Sequence, residues 1–357
     1  MFTLKGTNEI GRRGRLITAH GTIETPFFMP VGTAGAMKGI THEDLLALGA
    51  QILLCNTYHL HLQPGEETVE RAGGLHAFIG WEKPILTDSG GYQVFSFGKN
   101  GRTRVTEEGV QFQSHLNGDT LFIGPKESME IQHKLGSDII MAFDECPPST
   151  AKRKEIQSAV DRTLRWAKEC KKIHEELKKK RMSSPLLFGI VQGGLHRDLR
   201  EKCAQELQAI GFDGYAIGGL AVGESETDML SVVEAVCPLL PADAPRYLMG
   251  VGEIEQLKAC VARGIDMFDC VLPMRIARHG MVLLSDGTRL KISNSEFKEA
   301  HIPIDAQSPV PGSRTHLRSY LHHLLRANER LGETIAQMQN LGVTLRTMRQ
   351  LRESMDS

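Results

Sequence analysis

No long hydrophobic run interrupts the 357-residue chain. None approaches the roughly 18 apolar residues that span a bilayer. The opening Met1-Phe-Thr-Leu-Lys-Gly also lacks the charged-then-apolar layout of a signal peptide. The expectation is a cytoplasmic protein with no membrane partner. Cysteine is sparse and unpatterned: seven residues, an odd number, with no Cys-x-x-Cys pair, which excludes a disulfide framework and any self-evident zinc site. Charge of one sign is missing as well. Against 42 Lys and Arg stand 43 Asp and Glu, a net charge of -1, so no strong basic field announces a nucleic-acid partner. From Asp269 onward basic residues lead, twelve to nine, against thirty to thirty-four before it, and a charge run such as Lys171 to Arg181 reads as the wet face of a helix. Neither a GxxxxGK nor a GxGxxG loop occurs, which speaks against a nucleoside triphosphate or dinucleotide cofactor; none is expected.

What the chain does have is material for a core. Hydrophobic residues make up 41% and charged residues 24%, a globular balance, and the length calls for two domains or one large barrel. Short apolar runs recur along it, each followed by a polar or Gly-rich corner and then an amphipathic stretch of helical period. The runs are Pro26 to Val31, Ile52 to Cys55, Pro84 to Leu86, Ile139 to Phe143, Leu186 to Val191, Tyr215 to Ile217, Arg246 to Met249 and Ile265 to Phe268. Runs without alternation suit parallel strands buried on both faces. Eight such units predict an α/β fold, a (β/α)8 TIM barrel in a single domain over 1–357, with its chemistry after the strand C-termini. Two segments break the rhythm. Arg102 to Gly124 alternates and turns at Asn117, predicting an inserted hairpin. Gly280 to Thr315 carries a second hairpin at Asp286-Gly287 and a proline-rich stretch before a long helix from Arg314 to Asn340, predicting an embedded subdomain over 280–340.

The residues after each run form a chemical set. They include Asn56, Asp88-Ser89 with Tyr92, Asp144 with Cys146, Gln192, Gly219-Leu220, Met249 and Asp269. One Asp after a strand is commonly a helix cap, but that explanation does not extend comfortably to all of them. Two carboxylates facing a sugar carbon permit displacement at an anomeric centre, one as nucleophile and the other as acid or base. A carboxylate, an amide and exposed glycine N–H groups together read a purine edge, with Tyr92 placed to stack on the ring.

Seven stretches go further. TPFFMPVGT from Thr25, LTDSGGYQVFS from Leu86, FDEC from Phe143, GIVQGG from Gly189, GGLAVGE from Gly218, RYLMGVG from Arg246 and GIDMFDCVLPMR from Gly264 closely resemble the bacterial-type tRNA-guanine transglycosylases, in order and over essentially the whole chain. The resemblance implies a (β/α)8 pentosyltransferase that exchanges guanine at the wobble position of a tRNA with a GUN anticodon for preQ1, on the route to queuosine, as a homodimer. It implies Asp269 as nucleophile and Asp88 as acid/base. Asp144, Gln192 and the Gly219 backbone would recognise the base between Tyr92 and Met249. The Leu220 carbonyl, backed by Glu224, would take the aminomethyl group, while Ser89, Asn56 and Cys146 shape the pocket and Arg275 and Arg278 contact phosphate. The rival reading is a non-catalytic tRNA-binding or partner-stabilising subunit of the same family, against which the intact Asp88 and Asp269 speak.

The chain departs from the pattern in one place. Members usually hold a structural zinc with a Cys-x-Cys-x2-Cys cluster and a later His. Here those positions fall on Ser308, Val310, Ser313 and Gln339, and no cysteine follows Cys270. The expectation is a lobe without metal, stiffened by Pro303, Pro309 and Pro311 and packed through Ile302, Ile304 and Val310. After Asp269, Met274 and His279 also replace the residues common in the family.

Overall fold

A computed structural model describes all residues except 98–102 and 181–183. Arg102 and Arg181, which bound two segments of interest in the sequence, therefore lie outside the described residues. Eight short strands form one parallel sheet: Phe27–Met29, Leu53–Cys55, Ile85–Thr87, Ile139–Met141, Leu186–Val191, Gly214–Ile217, Arg246–Leu248 and Met267–Asp269. They fall on the eight predicted runs. The last strand pairs with the first through Phe268 and Phe28, and a parallel bridge from Val31 to Leu54 joins the first to the second, closing the barrel. Phe27, Leu54, Leu86, Ile139, Phe188, Ala216 and Met267 pack into one interior cluster, while the alternate faces meet the helices.

Between strands run the expected helices, among them Pro125–Leu135, Arg153–Lys178, Arg197–Ile210, Glu226–Val236 and Ile254–Ala262. The predicted insertion is a three-stranded antiparallel sheet, Thr103–Val105, Val110–Gln113 and Thr120–Ile123, whose second turn contains Asn117. A further antiparallel sheet, Phe2–Asn8, Gly11–Thr18 and Gly21–Thr25, precedes the barrel and has no counterpart in the sequence reading.

The C-terminal region differs from expectation in one respect. In place of a single helix from Arg314 there are three: Pro311–Thr315, Arg318–Arg326 and Arg330–Asp356. The chain turns between the last two at Asn328, which adopts a positive φ of 56°, a conformation Asn tolerates better than most residues. The final helix crosses back to the start of the chain, where Arg352 donates to the Pro26 carbonyl (2.6 Å) and Arg13 pairs with Asp356 (3.0 Å). The hairpin Met281–Leu283 with Arg289–Lys291 forms as predicted. Val282, Ile292, Ile304, Leu321, Leu324 and Ile335 make a small core of their own. Ile304 and Val310 are buried as expected, but Ile302 is 53% exposed and is not part of that core; its segment is held through the backbone instead, its carbonyl accepting from the Arg318 N–H.

Candidate active site

At the C-terminal ends of the strands lies a cleft of about 390 Å3. Parallel strands deliver their terminal side chains to one mouth, so residues 213 positions apart in sequence, Asn56 and Asp269, line the same space. Asp88, Ser89, Tyr92, Asp144, Cys146, Gln192, Gly219, Leu220, Met249 and Arg275 line it too. Glu224 and Arg278 do not.

Asp88 follows the third barrel strand. Its carboxylate accepts from Asn56 Nδ2 (2.6 Å), the Thr57 N–H (2.8 Å) and Gln93 Nε2 (2.7 Å). Burial pushes its pKa up, the three donors pull it back, and the charge of Asp269 pushes it up again. Asp269 ends the eighth strand, where one oxygen accepts from the Tyr247 hydroxyl (2.6 Å) and the Gly250 N–H (2.9 Å). Burial raises its pKa as well. Tyr247 is buried, and that burial together with the neighbouring Asp269 charge holds the phenol in its neutral, donating form. One carboxylate is thus oriented through one oxygen by a fixed donor pair, with no other residue donating to its second oxygen among the described residues, while a second carboxylate close enough to feel its charge sits among three donors.

A third carboxylate, Asp144, accepts from Ser89 Oγ (3.1 Å) and Gln192 Nε2 (2.8 Å); burial pushes its pKa to about 6. The other atom of the Gln192 amide, Oε1, is buried with no donor among the described residues. An acceptor left open beside a carboxylate is suited to a ligand rich in N–H groups. Gly219, with φ of 64°, lies directly against this amide: a Cβ there would stand 2.5 Å from Gln192 Oε1. Cys146 is a protonated thiol, its pKa pushed by burial to about 12. Tyr92 is 53% exposed at the rim, open to stacking.

Glu224 caps the loop that carries Leu220, accepting from the N–H groups of Ala221 and Val222. Arg275 and Arg278 stand on the helix Leu272–Arg278 just after Asp269, and neither forms an ion pair among the described residues. Sequence reasoning missed Tyr247, Thr57 and Gln93. Tyr247 and Gln93 each lie inside a motif already singled out, which was the available signal.

The positions that the resemblance assigns to zinc are brought together, but with other chemistry. Ser308 Oγ donates to Gln339 Oε1 (2.5 Å) and accepts from the Val310 N–H (2.9 Å). Gln339 Nε2 donates to the Leu283 carbonyl (2.8 Å) and Asp305 (3.0 Å). The Ser313 hydroxyl is buried without a partner among the described residues. Two hydroxyls, an isopropyl and an amide do not fit a structural zinc, which takes thiolates and imidazoles. A separate group, His20, His76 and Asp138, lies at the opposite end of the barrel with its donor atoms within 4.8 Å of one another. There the Asp138 carboxylate is already taken up by the N–H groups of His20 and Ile85.

An eight-stranded barrel whose mouth holds Asp88, Asp144 and Asp269 in one cleft has the architecture of a (β/α)8 enzyme of the glycosyl-transfer class. Residues 7–357 match the family model described as queuine tRNA-ribosyltransferase. Proteins of that description from Shouchella clausii (50% identical, covering 96% of this chain and 88% of the relative), Bacillus licheniformis (49%, covering 98% and 90%) and a Shewanella species (48%, covering 100% and 93%) are similar throughout. The chain belongs to the queuine tRNA-ribosyltransferase family and is a pentosyltransferase.

Proposed function

We propose that this enzyme exchanges guanine at the wobble position of a tRNA with a GUN anticodon for preQ1, through a covalent link between Asp269 and the ribose. The observation that carries the reading is the disposition of Asp269, held by Tyr247 and Gly250 on one oxygen while no other residue donates to the second among the described residues. An ionised carboxylate so held attacks the anomeric carbon, displacing the base and forming an acyloxy glycoside. Asp88, with its pKa raised by burial, donates the proton that the departing base takes up and recovers one from the incoming base. Asp144, Gln192 and the Gly219 N–H read the edge of the base, and Tyr92 and Met249 enclose its faces. The Leu220 carbonyl, on the loop capped by Glu224, receives the aminomethyl group. Because the base must leave the stack to enter the cleft, the free guanidiniums of Arg275 and Arg278 grip the displaced backbone.

Cys146 and Val222 line the cleft together. A branched side chain at 222 leaves little room for a bulky ring substituent, which supports preQ1 over queuine. The carboxy-terminal lobe over 280–340 supports a homodimer and tRNA docking without zinc, its ligand cage replaced by the Ser308–Gln339–Asp305 hydrogen bonds. Incubation with anticodon stem-loops and radiolabelled guanine tests the reading: label enters stem-loops with G at the wobble position only. With preQ1 and queuine in competition, kcat/KM favours preQ1; parity or a queuine preference refutes the assignment of the incoming base.

A further inference from the structure

A cation sits where electrostatics alone would not put it. Arg200 lies in the first turn of the helix Arg197–Ile210, at the positive end of its dipole. It is 1% exposed. Among the described residues no carboxylate pairs with it, and burial pulls its pKa down to about 10. A buried guanidinium without an anionic partner carries a desolvation penalty that only dense hydrogen bonding offsets. Here all the partners are backbone carbonyls: Nη1 donates to Val191 (2.7 Å) and Gly218 (2.7 Å), Nε to Gly194 (2.9 Å) and Nη2, more weakly, to Gly219 (3.5 Å). These carbonyls bracket Gln192 and Gly219, both of which line the cleft.

The direction of those bonds matters. In a trans peptide the C=O and N–H point opposite ways. The Gly218 carbonyl belongs to the same peptide as the Gly219 N–H, so anchoring that oxygen on Arg200 turns the Gly219 N–H away from the guanidinium and toward the cleft. A charged donor on the carbonyl also polarises the peptide and strengthens its N–H as a donor. Close approach is built into the chain: a Cβ at Gly193 would stand 2.8 Å from the backbone nitrogen of Arg200 and 3.0 Å from its Cγ. The Val191 carbonyl meanwhile accepts from both Arg200 and the Gly218 N–H (3.1 Å), which ties the ends of the fifth and sixth barrel strands together under Gln192.

The geometry points to Arg200 as a positioning residue for base recognition, one that sets the affinity for the exchanged base while leaving the carboxylate chemistry alone. The inference rests on the function proposed above, since it assigns the cleft to a nitrogen base. Neither Asp88 nor Asp269 touches the guanidinium or the loops it holds, so binding and chemistry separate.

The test is steady-state base exchange by Arg200→Lys and Arg200→Ala at saturating stem-loop, with folding followed by circular dichroism. Lysine keeps the charge but loses the planar fork that reaches several carbonyls. Loss of charged hydrogen bonds predicts a guanine KM raised about tenfold or more in Arg200→Lys, with kcat within about threefold and the stem-loop KM unchanged. In Arg200→Ala, added methylguanidinium lowers the guanine KM again. An unchanged guanine KM in a folded variant overturns the inference. So does a parallel fall in kcat and rise in both KM values, or a variant that fails to fold even with methylguanidinium, each of which assigns Arg200 to the fold alone. A wild-type protein that exchanges no base removes the underlying reading instead, so the two failures are distinguishable.

Discussion

The barrel mouth and the carboxy-terminal lobe have met different fates in one chain. At the mouth the residues that the sequence motifs identify, Glu224 and Arg278 apart, line one space, converging on it from the strand ends. In the lobe, the four positions matching a metal cage hold Ser308, Val310, Ser313 and Gln339, yet the same positions still converge, now through a hydrogen bond between Ser308 and Gln339. The difference follows from what each region must do. The roles proposed for Asp269 and Asp88, nucleophile and acid/base, have no neutral substitute, because they change covalent bonds and protonation. A structural cage only holds chain segments together, and an amide with one acceptor and two donors does the same by bridging Ser308, Asp305 and the Leu283 carbonyl.

The sharpest way to break the comparison is at the mouth. Asp269→Asn removes the nucleophile proposed above with almost no change of shape, so exchange, and with it any tRNA adduct that survives a denaturing gel, should vanish while tRNA binding persists. Asp88→Asn, which leaves the nucleophile but removes the proton carrier, should slow exchange about 10²- to 10⁴-fold. A normal adduct in the Asp269 variant on a denaturing gel would show that the attacking group lies elsewhere.

In the lobe the effect is on stability. Gln339→Ala leaves Ser308, Asp305 and the Leu283 carbonyl short of partners in a buried setting, which should cost about 2–4 kcal/mol in chemical denaturation. Added zinc should not restore it. Asp305 supplies an internal check on the network: burial favours its neutral form, but the donors from Ser285 and Gln339 outweigh that and hold its pKa below the usual value. Its contribution is therefore present above the ordinary Asp range and is lost as pH falls through the lowered value.

Much of this division was legible in the sequence. Strands covered on both faces must be apolar without alternation, so the eight runs and the polar residues following them stood out. The first sheet, Phe2–Asn8 to Gly21–Thr25, did not, because charged residues such as Lys5, Arg12, Arg13, Arg15 and Glu24, some of them buried, leave no continuous apolar run. The break at Asn328 was hidden for a similar reason: Ala-Asn-Glu carries no Gly or Pro, and the turn depends on one residue in a left-handed conformation. Partners such as Tyr247 for Asp269, or Gln339 for Ser308, are made by tertiary approach across 22 and 31 residues, and no local pattern encodes which of several hydroxyls or amides will be the one in reach.

The smallest effect concerns the cost of function at the mouth. Asp144 has a folded pKa of about 6, raised by burial, so the stability it contributes in acid is lost as pH rises through that value, and its ionised form is held at neutral pH at the fold's expense. Asp144→Asn should therefore melt higher than wild type at pH 7.5, by roughly 1–3 kcal/mol, with the gain shrinking toward pH 5, while base binding is lost. Exchange by the wild type should correspondingly fall off below about pH 6, above the usual carboxylate range. A gain over wild type no larger at pH 7.5 than at pH 5 would remove Asp144 from this accounting.

One measurement bears on both regions together: exchange of radiolabelled guanine into an anticodon stem-loop by protein stripped with a chelator, with the zinc content of the same sample determined by elemental analysis. Paired carboxylates in a lobe-supported barrel that needs no metal predict undiminished exchange at far less than one zinc per chain. Exchange that disappears on chelation and returns with stoichiometric zinc would contradict the account.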